Sequence, residues 1–489
     1  MPNRVALILL AALALAGGCK EPVVEVIEGV NTTLQVVVTN PTACPMCDPF
    51  VDIDTLRLDV SVGDDIVASD SFVYPGEGVT LPDLSPFGVV RITLLGLADG
   101  RVLSAGRTAE IVLLPNEDLT VPLAFVPANR VLPLAAPMLA DRYRPTAVPR
   151  RDGSLLVVGG LDPMRERATA LTELYDPLTA LFVEAPPLPR GVAAPDIAVL
   201  PEGARMLVGG FAAVGGNAVA VETASVFDDT AGTLVEAGPL SVGRDGGCVA
   251  MFRERQGIAF GGAAGIAADY LKPDPETGLW GFEALNMRDF DQSAVTACAV
   301  FAEGRVFVQG RDAASTGVWS EDDAPDPGEA FTAINEGGAG EVRYVSGPTL
   351  LPSADGGLRI LGGADVTTGE VYADGRLYAP SAGRFAEING FAAPRFDAQL
   401  VPWMLDGWYV AGCGWADAAR ATDEPTLELL APEVGERSPL YPLDRERPGC
   451  ALGVLPDGAI LVVGGGAQGV PEGAPAAMLV PWLDVLAPL

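Results

Sequence analysis

The stretch Asp152-Gly153-Ser154-Leu155-Leu156-Val157-Val158-Gly159-Gly160 decides the fold. A turn pair able to supply positive φ is followed by a short aliphatic run and two glycines, which reads as the second strand of a tight hairpin. The run returns at Val208-Gly209-Gly210, Phe260-Gly261-Gly262, Val308-Gln309-Gly310, Leu361-Gly362-Gly363, Val410-Ala411-Gly412 and Val463-Gly464-Gly465, and the second glycine is present every time. Successive second glycines stand 50, 52, 48, 53, 49 and 53 residues apart. The turn pair recurs with them, as Glu202-Gly203, Gln256-Gly257, Glu303-Gly304, Asp355-Gly356, Asp406-Gly407 and Asp457-Gly458. Outward from each hairpin, third strands read at residues 173–177, 224–228 and 376–380. Fourth strands run into segments that end in Arg, at residues 186–190, 239–244, 287–288 and 394–395. Four short strands make a twisted sheet that cannot cover both its faces alone, so the units must stack on one another.

A period near 50 with paired glycines resembles the kelch family, over roughly residues 128–489. Departures occur at Gln309 and Ala411, where the first glycine is missing, and in the fourth repeat, whose third strand around residues 317–320 is poorly defined. The resemblance implies an all-β, seven-bladed kelch-type β-propeller. Residues 130–134 read as a fourth strand lacking the rest of its blade, while the last repeat is short of one. The strand near Val131 is therefore expected to complete the C-terminal blade and remove an open edge, with residues 483–489 as the competing closing strand. The family includes copper-radical oxidases of the galactose oxidase type, whose metal is held partly by imidazoles. This chain has no His, so that site cannot carry over, and neither can a catalytic triad with a His base.

Residues 20–127 lack the repeat. They alternate strand-like runs, at 33–38, 55–62, 89–95, 109–114 and 119–125, with Gly, Pro, Asp and Asn clusters. About a hundred residues with some seven short strands suggest a small immunoglobulin-like β-sandwich. At the start, Arg4 precedes an apolar run from Val5 to Ala16 that is too short to span a bilayer but fits a signal peptide. Leu15-Ala16-Gly17-Gly18-Cys19 resembles the lipobox of bacterial lipoproteins, with Leu one position earlier than usual. The resemblance implies acylation of Cys19 and, with Lys20 following, delivery to the outer membrane; cleavage without lipidation is the alternative. The expected division is a signal peptide at 1–18, the sandwich at 19–127 and the propeller at 128–489.

Composition narrows the chemistry. Acidic residues number 64 against 31 basic, a formal charge of −33, which repels nucleic acid and anionic head groups. Six cysteines remain beyond Cys19. Cys44 and Cys47 read as a loop disulfide, with redox or metal roles as weaker readings; Cys248 with Cys298, and Cys413 with Cys450, would staple neighbouring blades unless they are buried free thiols. No metal site and no cofactor are expected.

Ligand contacts are expected from the loops after the glycine pairs, which hold Asp162, Arg165, Arg311, Asp312, Asp365, Trp415 and Asp417. Trp415 beside Asp417 could stack on a sugar or engage a peptide. The sequence thus predicts a lipid-anchored protein of the cell envelope, facing the periplasm or the surface. Its propeller is expected to be a non-catalytic scaffold for an envelope protein or glycan. The competing reading is a carboxylate-dependent carbohydrate-active enzyme, whose mark would be paired carboxylates beside a sugar-sized cleft.

Overall fold

The computed structural model describes residues 5–11, 32–44, 47–63, 65–75, 88–113, 118–150, 152–162, 167–200, 204–214, 217–228, 233–262, 265, 267–288, 290–301, 304–334, 343–353, 355–404, 407–416, 426–432, 439–443, 447, 449–465 and 475–481. Among them lie seven four-stranded antiparallel sheets, each following the chain order of its repeat, apart from one strand. The first strand of each sheet is, in order, Thr146–Pro149, Asp196–Val199, Gly247–Arg253, Val295–Phe301, Thr349–Pro352, Gln399–Pro402 and Ala451–Val454. These innermost strands touch in succession, second to third, third to fourth, fourth to fifth and sixth to seventh, and the seventh returns to the first.

The aliphatic runs are buried on both faces because each sheet lies between two others. In Leu155–Val158, Leu155 and Val157 pack with Leu461, Val463 and Met478 of the seventh sheet, whereas Leu156 and Val158 pack with Leu207 and Phe227 of the second. Period-two alternation delivers successive side chains to opposite neighbours. Each fully buried Leu, Val or Phe contributes about 1.5–3 kcal/mol.

The odd strand is the expected one. Val131–Pro133 pairs antiparallel with Ala476–Leu479 and forms the fourth strand of the seventh sheet. The competing residues 483–489 lie outside the described residues. One turn pair is corrected: Gln256 and Gly257 are already in the strand, opposite Arg253 and Met251, so that hairpin turns one pair earlier at Glu254-Arg255. The fourth repeat keeps its third strand at Gly317–Trp319, only three residues long, and leads through two 3-10 turns to Phe331–Ala333.

A recurrent ionic device lies inside the sheets. Arg142, Arg244 and Arg395 are buried just before an innermost strand, and each pairs with a carboxylate on the third strand of its own sheet: Glu173, Asp269 at 2.7 Å and Glu428 at 3.8 Å. Each guanidinium also donates to carbonyls of the second strand or the residue after it, those of Gly159, Gly261 and Ala411 respectively. Each carboxylate in turn accepts the backbone N–H three residues before its Arg, from Leu139, Ser241 and Ala392. Each charge is thus paired and further hydrogen-bonded, the condition for burying it, although Nε of Arg142 and of Arg395 meets no acceptor among the described residues.

Ahead of the sheets, Thr55–Val62 is flanked by Asp65–Val73 and Gly88–Ala98, which continues to Arg101–Arg107 and Val126–Pro127. A second sheet pairs Thr32–Thr39 with Asp118–Ala124 in parallel. Leu34, Val36 and Val38 of one meet Leu58, Val60, Ile92 and Leu94 of the other in a common core. Val5–Ala11, within the expected signal segment, runs as a strand parallel to Thr32–Thr39; Cys19 lies outside the described residues. No helix among the described residues is long and apolar enough to cross a membrane. Leu95, Ala105 and Val126 share a core with Leu132, Leu155 and Leu461, so this unit packs directly on the first and seventh sheets.

Cys44–Cys47, Cys248–Cys298 and Cys413–Cys450 are all bonded, with Cα separations of 5.0, 5.7 and 5.1 Å. The reading of buried free thiols does not hold for them.

Candidate functional site at the axial mouth

The innermost strands enclose an axial cavity of about 470 Å³, lined by residues from all seven sheets. A second cavity of about 440 Å³ adjoins it and shares Arg144, Gly246, Thr296, Gly347 and Asp397 with it, so the two form one mouth. Asp196 and Gln399 stand on the axial side, and Asp245, Ser293 and Arg311 on the outer side.

The backbone around this mouth is shaped by left-handed residues at the start of the innermost strands: Arg144 (φ 52), Ala194 (φ 47), Gly246 (φ 70), Gly347 (φ 57), Asp397 (φ 51) and Gly449 (φ 62). Three of the six are not glycine, and such conformations are held only where the surroundings over-determine them. Backbone hydrogen bonds do so here: Arg144 N–H donates to Gly449 O (2.8 Å), Ala194 N–H to Arg144 O (3.1 Å) and Asp397 N–H to Gly347 O (2.8 Å).

Asp196 opens the second innermost strand and faces the axis. Burial pushes its carboxyl up to about 7; the Arg144 guanidinium opposes the rise and the Asp245 carboxylate adds to it. Among the described residues no side chain or N–H donates a hydrogen bond to this carboxylate. Asp397, by contrast, is folded back on its neighbour: a side chain on Gly347 would collide with Asp397 Oδ1. The Arg144 guanidinium lies 5.3 Å from the centre of the Phe211 ring. The mouth thus holds three carboxylates and two guanidinium groups, with Asp196 the least compensated. A carboxyl that changes charge near neutrality, inside a cavity, is able to accept or donate a proton there.

Of the loop residues singled out from the sequence, Arg311 lines the mouth and is exposed. Trp415 also borders the cavity, but the residue is only 6% exposed, packed with Ala364 and Phe396 and edge-on to Tyr143 at 6.3 Å. The expectation that it stacks on a sugar is corrected: it is a wall, not a platform. Asp162 pairs opposite Arg167 in a small outer hairpin, Asp312 holds the turn at Ser315, and Asp365 caps the turn at Thr367 and Thr368. None of these three lines the mouth. Arg165 and Asp417 lie outside the described residues.

Arg144, Asp196, Asp245 and Asp397 were not singled out from the sequence, yet a signal exists. The left-handed residue stands sixteen positions before the second glycine in five repeats, and fifteen before it in the sixth. Counting back from the glycine would have found the ring.

No protein-family model matches this sequence, and no curated protein matches it. Among solved structures, a fungal alcohol oxidase of the AA5 family, described as catalytically diverse and determined in complex with copper, superposes with a TM-score of 0.52. It is 16% identical, over 70% of this chain and 74% of its own. The chain therefore has an all-β fold of the galactose oxidase-like propeller type.

This finding corrects the expectation of a protein that is not an enzyme, because the shared fold is one on which an oxidase is built. The mouth is a cavity of about 470 Å³ bordered by a carboxyl whose burial raises it toward neutrality. Copper itself does not fit. The chain has no His, the described cysteines are all in disulfides, and no group of three or more potential ligand side chains occurs among the described residues.

Proposed function

We propose that this is an exported, lipid-anchored envelope protein that takes a polar group of an envelope protein or glycan into its axial mouth. In this reading residues 1–18 are a lipoprotein signal, Cys19 the acylated residue, 19–127 an immunoglobulin-like sandwich and 128–489 a seven-bladed kelch-type propeller that points its mouth at the ligand. The seven sheets at a period near fifty support the last division, and three bonded cystines agree with an oxidising compartment. The outer membrane remains the proposed site of anchorage, on the lipobox-like residues alone. The observation that carries the ligand reading is the cavity itself: about 470 Å³ is the size of a small-molecule site, and its polar groups converge from different sheets.

The test is capture of partners from native envelope with the lipidated protein, beside an Arg311→Glu variant. Arg311 is exposed, so its charge can be reversed with little effect on folding. A partner retained by the parent and lost from the variant supports a ligand at the mouth. Equal retention by both, or by neither, removes the reading.

A further inference from the structure

We propose that the axial cavity is a recognition site for a small organic cation, a protonated primary amine, seated against Asp196. This rests on the reading of the mouth as a ligand site and deepens it by naming the chemistry.

Four observations converge. The mouth carries three carboxylates, Asp196, Asp245 and Asp397, against two guanidinium groups, Arg144 and Arg311. Asp397 turns toward the backbone of Gly347, and Arg144 lies over the Phe211 ring, so neither group is spent on Asp196 by a direct contact. Asp196 has no hydrogen-bond donor among the described residues, although its side chain borders a cavity large enough for a ligand. The chain as a whole bears a charge of −33, which draws cations toward such a mouth and repels anions that its two Arg side chains would otherwise attract.

A metal ion is the poorer occupant. No three carboxylates or other potential ligand groups stand close enough together among the described residues to complete a coordination shell. An ammonium group needs less: one carboxylate plus neutral oxygen acceptors. The hydroxyls of Thr146 and Thr296, which donate to the Pro195 carbonyl and to those of Gln309 and Val345, keep their lone pairs beside the same cavity, whereas the Gln399 amide is already held by the Leu452 N–H and the Cys450 carbonyl. The charged groups facing Asp196 are Arg144 at the start of the first innermost strand and Asp245 before the third. Arg311 and Asp397 complete the set across the mouth. A bound cation would offset the repulsion from Asp245 and hold Asp196 ionised. Binding should therefore strengthen as the pH rises and Asp196 loses its proton.

The probe is n-butylammonium, which stays charged from pH 5.5 to 8, with 1-butanol as its neutral counterpart, titrated into the full chain by calorimetry and ligand-observed NMR. We expect saturable butylammonium binding that tightens by about thirtyfold between pH 5.5 and 8 as Asp196 ionises. Asp196→Asn should weaken binding at pH 8 by about tenfold or more and abolish its pH dependence, while 1-butanol should show no saturable binding. Asp245→Asn, a second variant in case the first misfolds, should weaken it by a smaller factor. Absence of saturable binding at pH 8, equal binding of 1-butanol, or unchanged affinity in Asp196→Asn overturns the proposal. If envelope capture still depends on Arg311 in that event, only the cation assignment falls. If that dependence is also missing, the ligand reading falls with it.

Discussion

Glu173 shows what a single side chain does in this fold. Both it and Arg142 are fully buried, and the carboxylate accepts from the guanidinium and from the Leu139 N–H. Glu173→Gln would leave the Arg142 charge without a counter-ion, a loss of about 3–5 kcal/mol. Glu387→Gln, which breaks the Arg376 pair at a side chain 80% exposed, should change stability by less than about 1 kcal/mol. Urea unfolding of both variants checks the contrast, and comparable effects would refute the structural role of the buried pair. Asp196 behaves in the opposite sense. Its carboxyl is raised from 3.8 to about 7, so the folded state holds its proton more tightly than the unfolded chain does. Its contribution is fully present below about pH 4 and is lost as the pH rises through 7. Three pH units correspond to about 4 kcal/mol at most, and the partial exposure of the side chain lowers this. Asp196→Asn should therefore raise the melting temperature at pH 8 and leave it nearly unchanged at pH 4. A variant less stable than the parent at pH 8 would contradict this account. Stability given up at a cavity-facing carboxylate is what a functional position looks like.

The strands and turns divide into those the sequence announces and those it hides. Five repeats keep the glycine pair, and in all five both glycines are left-handed, as at Gly159 (φ 60) and Gly160 (φ 97). The reason is close approach: a side chain on Gly159 would collide with the Val192 carbonyl and one on Gly362 with that of Arg395, each on the segment leading into the next sheet. The pair was legible in these five repeats because a side chain there meets the backbone of the next segment, a demand that the repeats with Gln309 and Ala411 relax at the first position. Asp65–Val73 and Arg101–Arg107 were not legible as strands: the first is partly exposed throughout, and the second is interrupted by Ser and Gly. The cystines belong to this scale as well. Cys248–Cys298 ties the third innermost strand to the fourth across 50 residues, and Cys413–Cys450 ties the sixth sheet to the seventh across 37. Loop-closure entropy assigns about 4 kcal/mol to each and much less to Cys44–Cys47, which spans three. Paired Cys→Ser variants, compared by guanidinium unfolding, should follow that order; the largest loss at Cys44 and Cys47 would argue against it.

At the scale of the molecule, the sequence carried the ring better than it carried the mouth. Seven glycines at a near-constant spacing expose the stacking, since stacking is a demand on every repeat. The mouth uses one or two residues from each of several repeats, and no short window contains it. Closure sits between these extremes, because a single lone strand had to be matched to a sheet more than three hundred residues away. Its consequence can be measured. Val131, Leu132 and Pro133 stand opposite Leu479, Met478 and Ala477, and Leu132 is buried in the core shared with the N-terminal unit. Gly465 N–H also donates to Arg142 O at 2.8 Å, so the last sheet is tied to the first by the glycine pair as well as by the strand. Replacing residues 131–133 with Gly-Ser-Gly removes the apolar side chains of the closing strand but leaves the glycine tie intact. Amide hydrogen exchange should then show protection lost first in Ala476–Leu479, next in Ile460–Val463 and last in Ala451–Val454, while the third and fourth sheets stay protected. Uniform loss across all seven sheets would mean that the ring opens as a single unit; no loss at Ala476–Leu479 would mean that the lone strand closes nothing. The graded result is expected because an open edge weakens its own sheet before it can loosen the stack.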